Sequence, residues 1–192
     1  NVWDVFAANA EWTGGSGFFL PGDNVTFDDT YSYANPVALV GVLAPSKITV
    51  NATRDYSWSG TGSLAGPTTL VKDGPGRLNL NGNAGAGFAN AYTGGTIISN
   101  GIVSITNSWL NLGSGLVTLA GGTLQNWVKG NAGGPGVEQG LSNNVYVAAN
   151  STWQMDRTGD QAAGLLGSLN AAPGTTLSFY HNATNQNQVH RV

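Results

Sequence analysis

Glycine or asparagine closes an apolar run every few residues along this 192-residue chain, and no window keeps a 3.6-residue apolar period. Both residue types tolerate the left-handed backbone that a sharp corner needs. The runs alternate apolar and polar: 24–29 (NVTFDD), 47–51 (KITVN), 56–60 (YSWSG), 68–74 (TTLVKDG), 77–82 (RLNLNG), 95–101 (GTIISNG) and 102–107 (IVSITN). The second half continues with 116–121, 123–127, 144–150, 151–156, 175–182 and 188–192. Period-two runs of this length predict half-buried strands. The one helix candidate, 160–169 (DQAAGLLGSL), is opposed by Gly164 and Gly167.

Short strands admit either a sandwich of hairpins or a solenoid of parallel coils. Asn81-Gly82 and Asn100-Gly101 would suit hairpin turns, yet the strands beside them carry only two inward apolar positions each. A loose internal repeat favours the solenoid: a glycine-rich step, paired β-branched or Leu residues, then Gly or Asn, recurring from residue 66 to residue 182. The reading is an all-β parallel β-helix. With about 20 to 25 residues per coil it makes roughly seven coils, rising ~35 Å at sheet spacing. The whole of 1–192 is expected to be one domain, with 1–23 as an N-terminal cap and 24–192 as coils. Trp3, Trp12, Phe18, Phe19 and Phe27 are expected to plug the end of the stack, and Tyr56 and Trp58 to face inward.

Charge narrows the function. Seven basic and ten acidic residues make 9% of the chain, against about a quarter in ordinary domains, so a run of phosphates has nothing to meet. No nucleic-acid partner is expected. The longest apolar stretch, 36–45 (PVALVGVLAP), is too short to span a bilayer and is broken by Gly41, so no membrane span is expected either. With no cysteine, disulfides and thiolate metal sites are absent. Abundant Asn, Thr, Ser and Gly with almost no Lys or Glu suggests a secreted or surface protein, and no signal peptide is visible in this segment.

The stretch 68–105 resembles the autotransporter-associated β-strand repeat. Leu70, Lys72, Gly74, Gly76, Leu78 and Leu80 match its first part, and Asn90, Tyr92, Gly94, Gly95, Thr96 and Ile98 its second. The opening 3–29 is similar to the start of such proteins in polysaccharide-degrading bacteria, through Trp3, Trp12, Gly22-Asp23 and Phe27. The resemblance implies a right-handed parallel β-helix in a bacterial secreted or surface protein, with 83–90 as an insertion bulging from one corner. Within it, the chain is most similar to β-helical carbohydrate-binding modules attached to xylanases. The repeat itself is a scaffold and names no function.

Catalysis is not expected. The acids are few and scattered: Asp28 and Asp29 point to opposite faces of a strand and end it by bonding turn amides, and Asp156 beside Arg157 reads as a surface pair. His181 and His190 lack metal-ligand spacing, so neither metal nor cofactor is expected, although calcium at Asp23, Asp28 and Asp29 stays open. Binding is better served, because neutral polysaccharides are held by stacked rings and by amides and hydroxyls. Alternation from an inward Leu124 places Gln125 and Trp127 outside, and inward Val145 and Val147 place Tyr146 outside. Trp153 with Met155 reads as core, leaving Gln154 and Asp156 outside, while the opposite register would expose Trp153 as a stacking ring. Trp109 lies at a corner and is either buried or a platform. Stacked in line, Gln125, Trp127, Tyr146 and Gln154 would form a strip for a long sugar chain, with Asp156, Trp109 and Trp153 as further contacts. The leading expectation is a monomeric, non-catalytic module that binds xylan or a similar β-glycan and targets an attached glycoside hydrolase. The alternative is a structural passenger segment of a surface autotransporter without a small ligand.

Overall fold

The computed structural model describes residues 2–6, 11–13, 16–30, 35–81, 90–106, 109–127, 140–157, 163–183 and 190–191. Among these residues, alternation and glycine corners produce twenty short strands. In chain order they are β1 Val2–Trp3, β2 Asn24–Phe27, β3 Val37–Leu39, β4 Val42–Leu43, β5 Lys47–Asn51, β6 Tyr56–Gly60, β7 Ser63–Leu64, β8 Thr69–Asp73, β9 Arg77–Asn81 and β10 Thr96–Ile98. They continue with β11 Ile102–Thr106, β12 Val117–Ala120, β13 Thr123–Trp127, β14 Gly140–Leu141, β15 Val145–Ala149, β16 Ser151–Arg157, β17 Ala163–Leu165, β18 Leu169–Ala171, β19 Leu177–Ala183 and β20 His190–Arg191. A single 3-10 turn, Trp109–Leu112, is the helical content of the described residues, and none of their helices is long and apolar enough to cross a membrane. Of the helix candidate 160–169, the described part from 163 onward is strand β17, a corner and the start of strand β18.

Among the described residues all strand pairings are parallel, and the chain visits the sheets in rotation. One sheet of eight strands runs β1-β3-β6-β9-β11-β13-β16-β19, and a second of seven runs β2-β5-β8-β10-β12-β15-β18. A third side carries β4-β7 and β14-β17-β20. This is a parallel β-solenoid. The step between paired residues varies: from 96 to 117 it is 21 residues, and from 123 to 152 it is 29.

Identical positions stack into interior rows, as each strand points alternate side chains inward. Tyr56, Leu78, Val103, Leu124 and Trp153 stand in register in the eight-stranded sheet, all essentially enclosed. Val25, Ile48, Leu70, Thr96, Val117 and Val145 form the matching row opposite. Each enclosed aliphatic side chain contributes about 1.5–3 kcal/mol. Beside β1 and β2 the rows meet an aromatic cluster in which Trp3 touches Trp12, Phe19, Phe27 and Trp58 at centroid distances of 5.5, 5.5, 5.5 and 5.9 Å. Tyr56 and Trp58 are buried, in keeping with their alternation.

Side-chain amides complete the third side where strands are missing. Asn90 Oδ1 accepts from the Leu64 N–H at 2.9 Å, and its Nδ2 donates to the Asn111 carbonyl at 2.7 Å. Asn143 Nδ2 donates to the carbonyls of Gly113 and Gly115. These buried amides satisfy main-chain groups that would otherwise be orphaned.

Candidate functional site

The outer face of the eight-stranded sheet is a polar ladder. Ser57, Asn79, Ser104, Gln125, Gln154 and Tyr180 pair in register on successive strands. Asn79 Nδ2 donates to Ser57 Oγ at 3.1 Å. Tyr180 is 55% exposed and Gln154 half-buried, so one end of the ladder faces solvent.

The structure places Gln125 and Tyr146 otherwise than the expected strip requires, and Trp153 in the core register that its pairing with Met155 predicts. Gln125 does point outward, yet it is only 2% exposed. Arg77 reaches from β9 over β11 and donates Nη1 to Gln125 Oε1. Ser104, the partner of Gln125 on β11, is buried too. Trp153 takes the core register: it is fully enclosed, donates Nε1 to Asn126 Oδ1 at 3.2 Å and stacks on Phe179. An indole so placed offers no face to a sugar. Tyr146 is 37% exposed but lies in the seven-stranded sheet between Thr118 and Asn170, so it does not share the strip of Gln125 and Gln154. The main chains of Trp127 and Asp156 sit in β13 and β16, and that of Trp109 in the 3-10 turn. Their side chains lie outside the described residues, as does most of the 83–90 insertion. Arg77, which organises the ladder, was missing from the expected set, although its alternation with the inward Leu78 marks it as outward.

The three aspartates considered for calcium serve as separate caps. Asp23 Oδ2 accepts from the Leu20 N–H, and Asp28 Oδ1 from that of Thr30. Asp29 accepts from the Thr53 and Arg54 amides and pairs with Arg54 Nε at 3.1 Å. The Thr53 amide, with help from Arg54, holds the Asp29 carboxyl down at about 2. Among the described residues no three His, Cys, Asp or Glu side chains gather as a metal site. A cavity of about 420 Å³ lies beside β1 and β2, where Trp3, Trp12, Phe27 and Tyr56 line it together with Glu11 and Asp28.

The residues that match the repeat serve structure. Lys72 is an inward position of β8, and burial pushes its ammonium below the usual lysine value against the pull of Asp73 and Asp55. Its Nζ donates to the carbonyls of Gly74 at 2.5 Å, Asp73 at 3.3 Å and Asn100 at 3.4 Å, tying the corners of two coils together. Tyr92 is enclosed and shares a 2.6 Å hydrogen bond with Thr96 Oγ1, and burial raises its phenol well above the ordinary value. Gly76 stands where a Cβ would lie 2.1 Å from the Arg54 carbonyl oxygen.

A family model described as Passenger-associated-transport-repeat matches residues 70–105, the stretch that holds Lys72, Gly76 and Tyr92. No curated protein and no solved structure matches the chain.

Proposed function

We propose that this chain is a structural segment of the secreted passenger of a bacterial surface autotransporter, a non-catalytic spacer that holds other parts of its protein away from the cell. One observation carries the reading. Within 70–105, the residues that fit the repeat are, except Gly94, buried in interior rows, corners or amide bridges. A segment whose distinguishing residues are all used in coil stacking is built for extension rather than for chemistry. In this reading the solenoid is right-handed and has about seven coils. The aromatic cluster around Trp3 closes its N-terminal end, and the mature protein is extracellular or surface-bound.

A second reading, a module for xylan or a similar β-glycan, has one observation in its favour. Tyr180 and Gln154 form a partly exposed ring-and-amide pair on a flat face. One experiment separates the two. The chain is exported ahead of a membrane-barrel translocator in a Gram-negative cell, and intact cells are probed with protease and with labelled xylan. A surface-exposed, protease-resistant segment without saturable xylan binding supports the spacer. Saturable binding lost in Tyr180→Ala overturns it in favour of the module, and failure to reach the surface overturns it outright.

A further inference from the structure

Lys72 ties two corners, and one of them is chemically reactive. Asn100 is exposed on the turn after β10, and Gly101 follows it with a φ of +65°. The Gly101 N–H donates to the Oδ1 of Asn100 itself at 2.7 Å. Among the described residues no carbonyl of a neighbouring coil accepts from that amide. Cγ is bonded to that Oδ1, so a main-chain nitrogen and a side-chain carboxamide are held side by side. No side chain shields the nitrogen, because a Cβ at residue 101 would lie 2.4 Å from the Gly76 carbonyl oxygen.

Charge favours a reaction between them. An amide nitrogen attacks once it has given up its proton, and the negative charge then spreads onto the carbonyl oxygen of the same peptide. For Gly101 that oxygen belongs to Asn100, and Lys72 Nζ donates to it at 3.4 Å. An ammonium placed where charge develops lowers the barrier to that step. The preceding corner supplies the contrast. In Asp73-Gly74 the Gly74 N–H donates to Asp73 Oδ1 at 3.1 Å, and Lys72 Nζ donates to the Asp73 carbonyl at 3.3 Å. A carboxylate repels the incoming electron pair and has no ammonia to lose, whereas a carboxamide does. Of the two corners on this ammonium, Asn100 is the one able to react.

We propose that Asn100-Gly101 is a self-modification site, at which the folded chain converts Asn100 to aspartate. The Gly101 nitrogen passes its proton to solvent hydroxide and bonds to Asn100 Cγ. The Cγ–Nδ2 bond breaks, ammonia leaves, and a cyclic imide remains. Water then opens the imide and leaves a carboxylate. Opening at the main-chain carbonyl would give isoaspartate, which adds a methylene to the backbone. The corner resists that, because the Ser99 N–H is held on the Lys72 carbonyl and the Gly101 carbonyl on the Thr123 N–H, each at 2.9 Å. Opening at Cγ keeps both bonds, so aspartate is the favoured product. Its charge arrives on the corner tied by Lys72, which has no ion-pair partner among the described residues. The formal charge of −3 becomes one unit more negative. This chemistry is independent of the spacer reading, since it concerns one corner whatever the coils carry.

Mass spectrometry tests it on the 192-residue chain, incubated at neutral pH either folded or unfolded in guanidinium chloride. Each conversion adds about 1 Da, and fragmentation of proteolytic peptides places it on a residue. Asn100 should convert at least as fast in the folded chain as in the unfolded one. The folded chain should also give the larger share of aspartate over isoaspartate, resolved by chromatography against synthetic peptides of both forms. Lys72→Met should slow the folded conversion about tenfold and leave the unfolded rate unchanged. Folded conversion slower than unfolded overturns the proposal, as does an excess of isoaspartate in the fold, or a folded rate unchanged or raised in Lys72→Met. Should Lys72→Met lose its fold by circular dichroism, the folded and unfolded rates of the unaltered chain decide alone.

Discussion

Trp153 donates its indole N–H to the Asn126 side chain on the neighbouring strand, 3.2 Å away, with both groups enclosed in the interior. This contact fixes the register of β16 against β13. Trp153→Ala should therefore cost about 3–5 kcal/mol of stability, as a large aromatic lost from a core. Trp153→Phe keeps most of the volume but leaves Asn126 without its donor, for about 1–3 kcal/mol. Urea melts of both variants check this. A melt unchanged in Trp153→Ala would return the ring to the surface.

Lys72 should behave as a corner tie rather than as a free charge. Lys72→Met keeps the apolar stem in its row but removes the donor to Gly74, Asp73 and Asn100. Buried carbonyls left unpaired cost about 1–3 kcal/mol. Amide exchange near residues 74–76 and 100–102 should accelerate together, since one side chain holds both corners.

Two glycines separate steric closure from backbone strain. Gly76→Ala would drive a Cβ into the Arg54 carbonyl, against backbone that has no room to yield. Gly22→Ala meets nothing within 4 Å, and only its φ of +94° opposes the substitution. Gly22→Ala should cost about 1–2 kcal/mol, and Gly76→Ala clearly more. Equal thermal melts for the pair would contradict the tight stacking of the corner.

Acid should find the Asp29 cap. Its folded value of about 2 lies below the unfolded 3.8, so the folded state favours the ionised form. Its stabilisation is complete above about pH 3.8 and is lost as the pH falls toward 2. Asp29→Asn should flatten that part of the stability curve and leave neutral pH slopes unaltered. An acid limb of the same steepness in the variant would assign the effect to other carboxyls.

Much of the fold was legible because local alternation carries it. Strands such as β5, β6 and β13 coincide with the runs 47–51, 56–60 and 123–127, and Gly41 breaks 36–45 into β3 and β4. The third side was not legible. Its strands have two or three residues, and much of its bonding comes from Asn90 and Asn143, which read locally as turn residues. The site was read less well than the strands. Alternation gives the direction of Gln125 and Tyr146, but whether a residue is covered, or which sheet it joins, depends on distant partners. Arg77 covers Gln125 from two strands away, and Tyr146 is assigned to its sheet by its pairing with Thr118.

Unequal steps between equivalent residues separate chain length from architecture. Thr96 and Val117 are partners across a step of 21 residues, Thr123 and Thr152 across one of 29, and both pairs lie in parallel ladders. Closing a longer loop costs only about 0.6 kcal/mol per doubling of its length. New sequence can therefore be written between Trp127 and Gly140 while the rows of Leu124 and Val145 stay as they are. The core preserves a cross-section, and the corners are where such a protein is free to diversify.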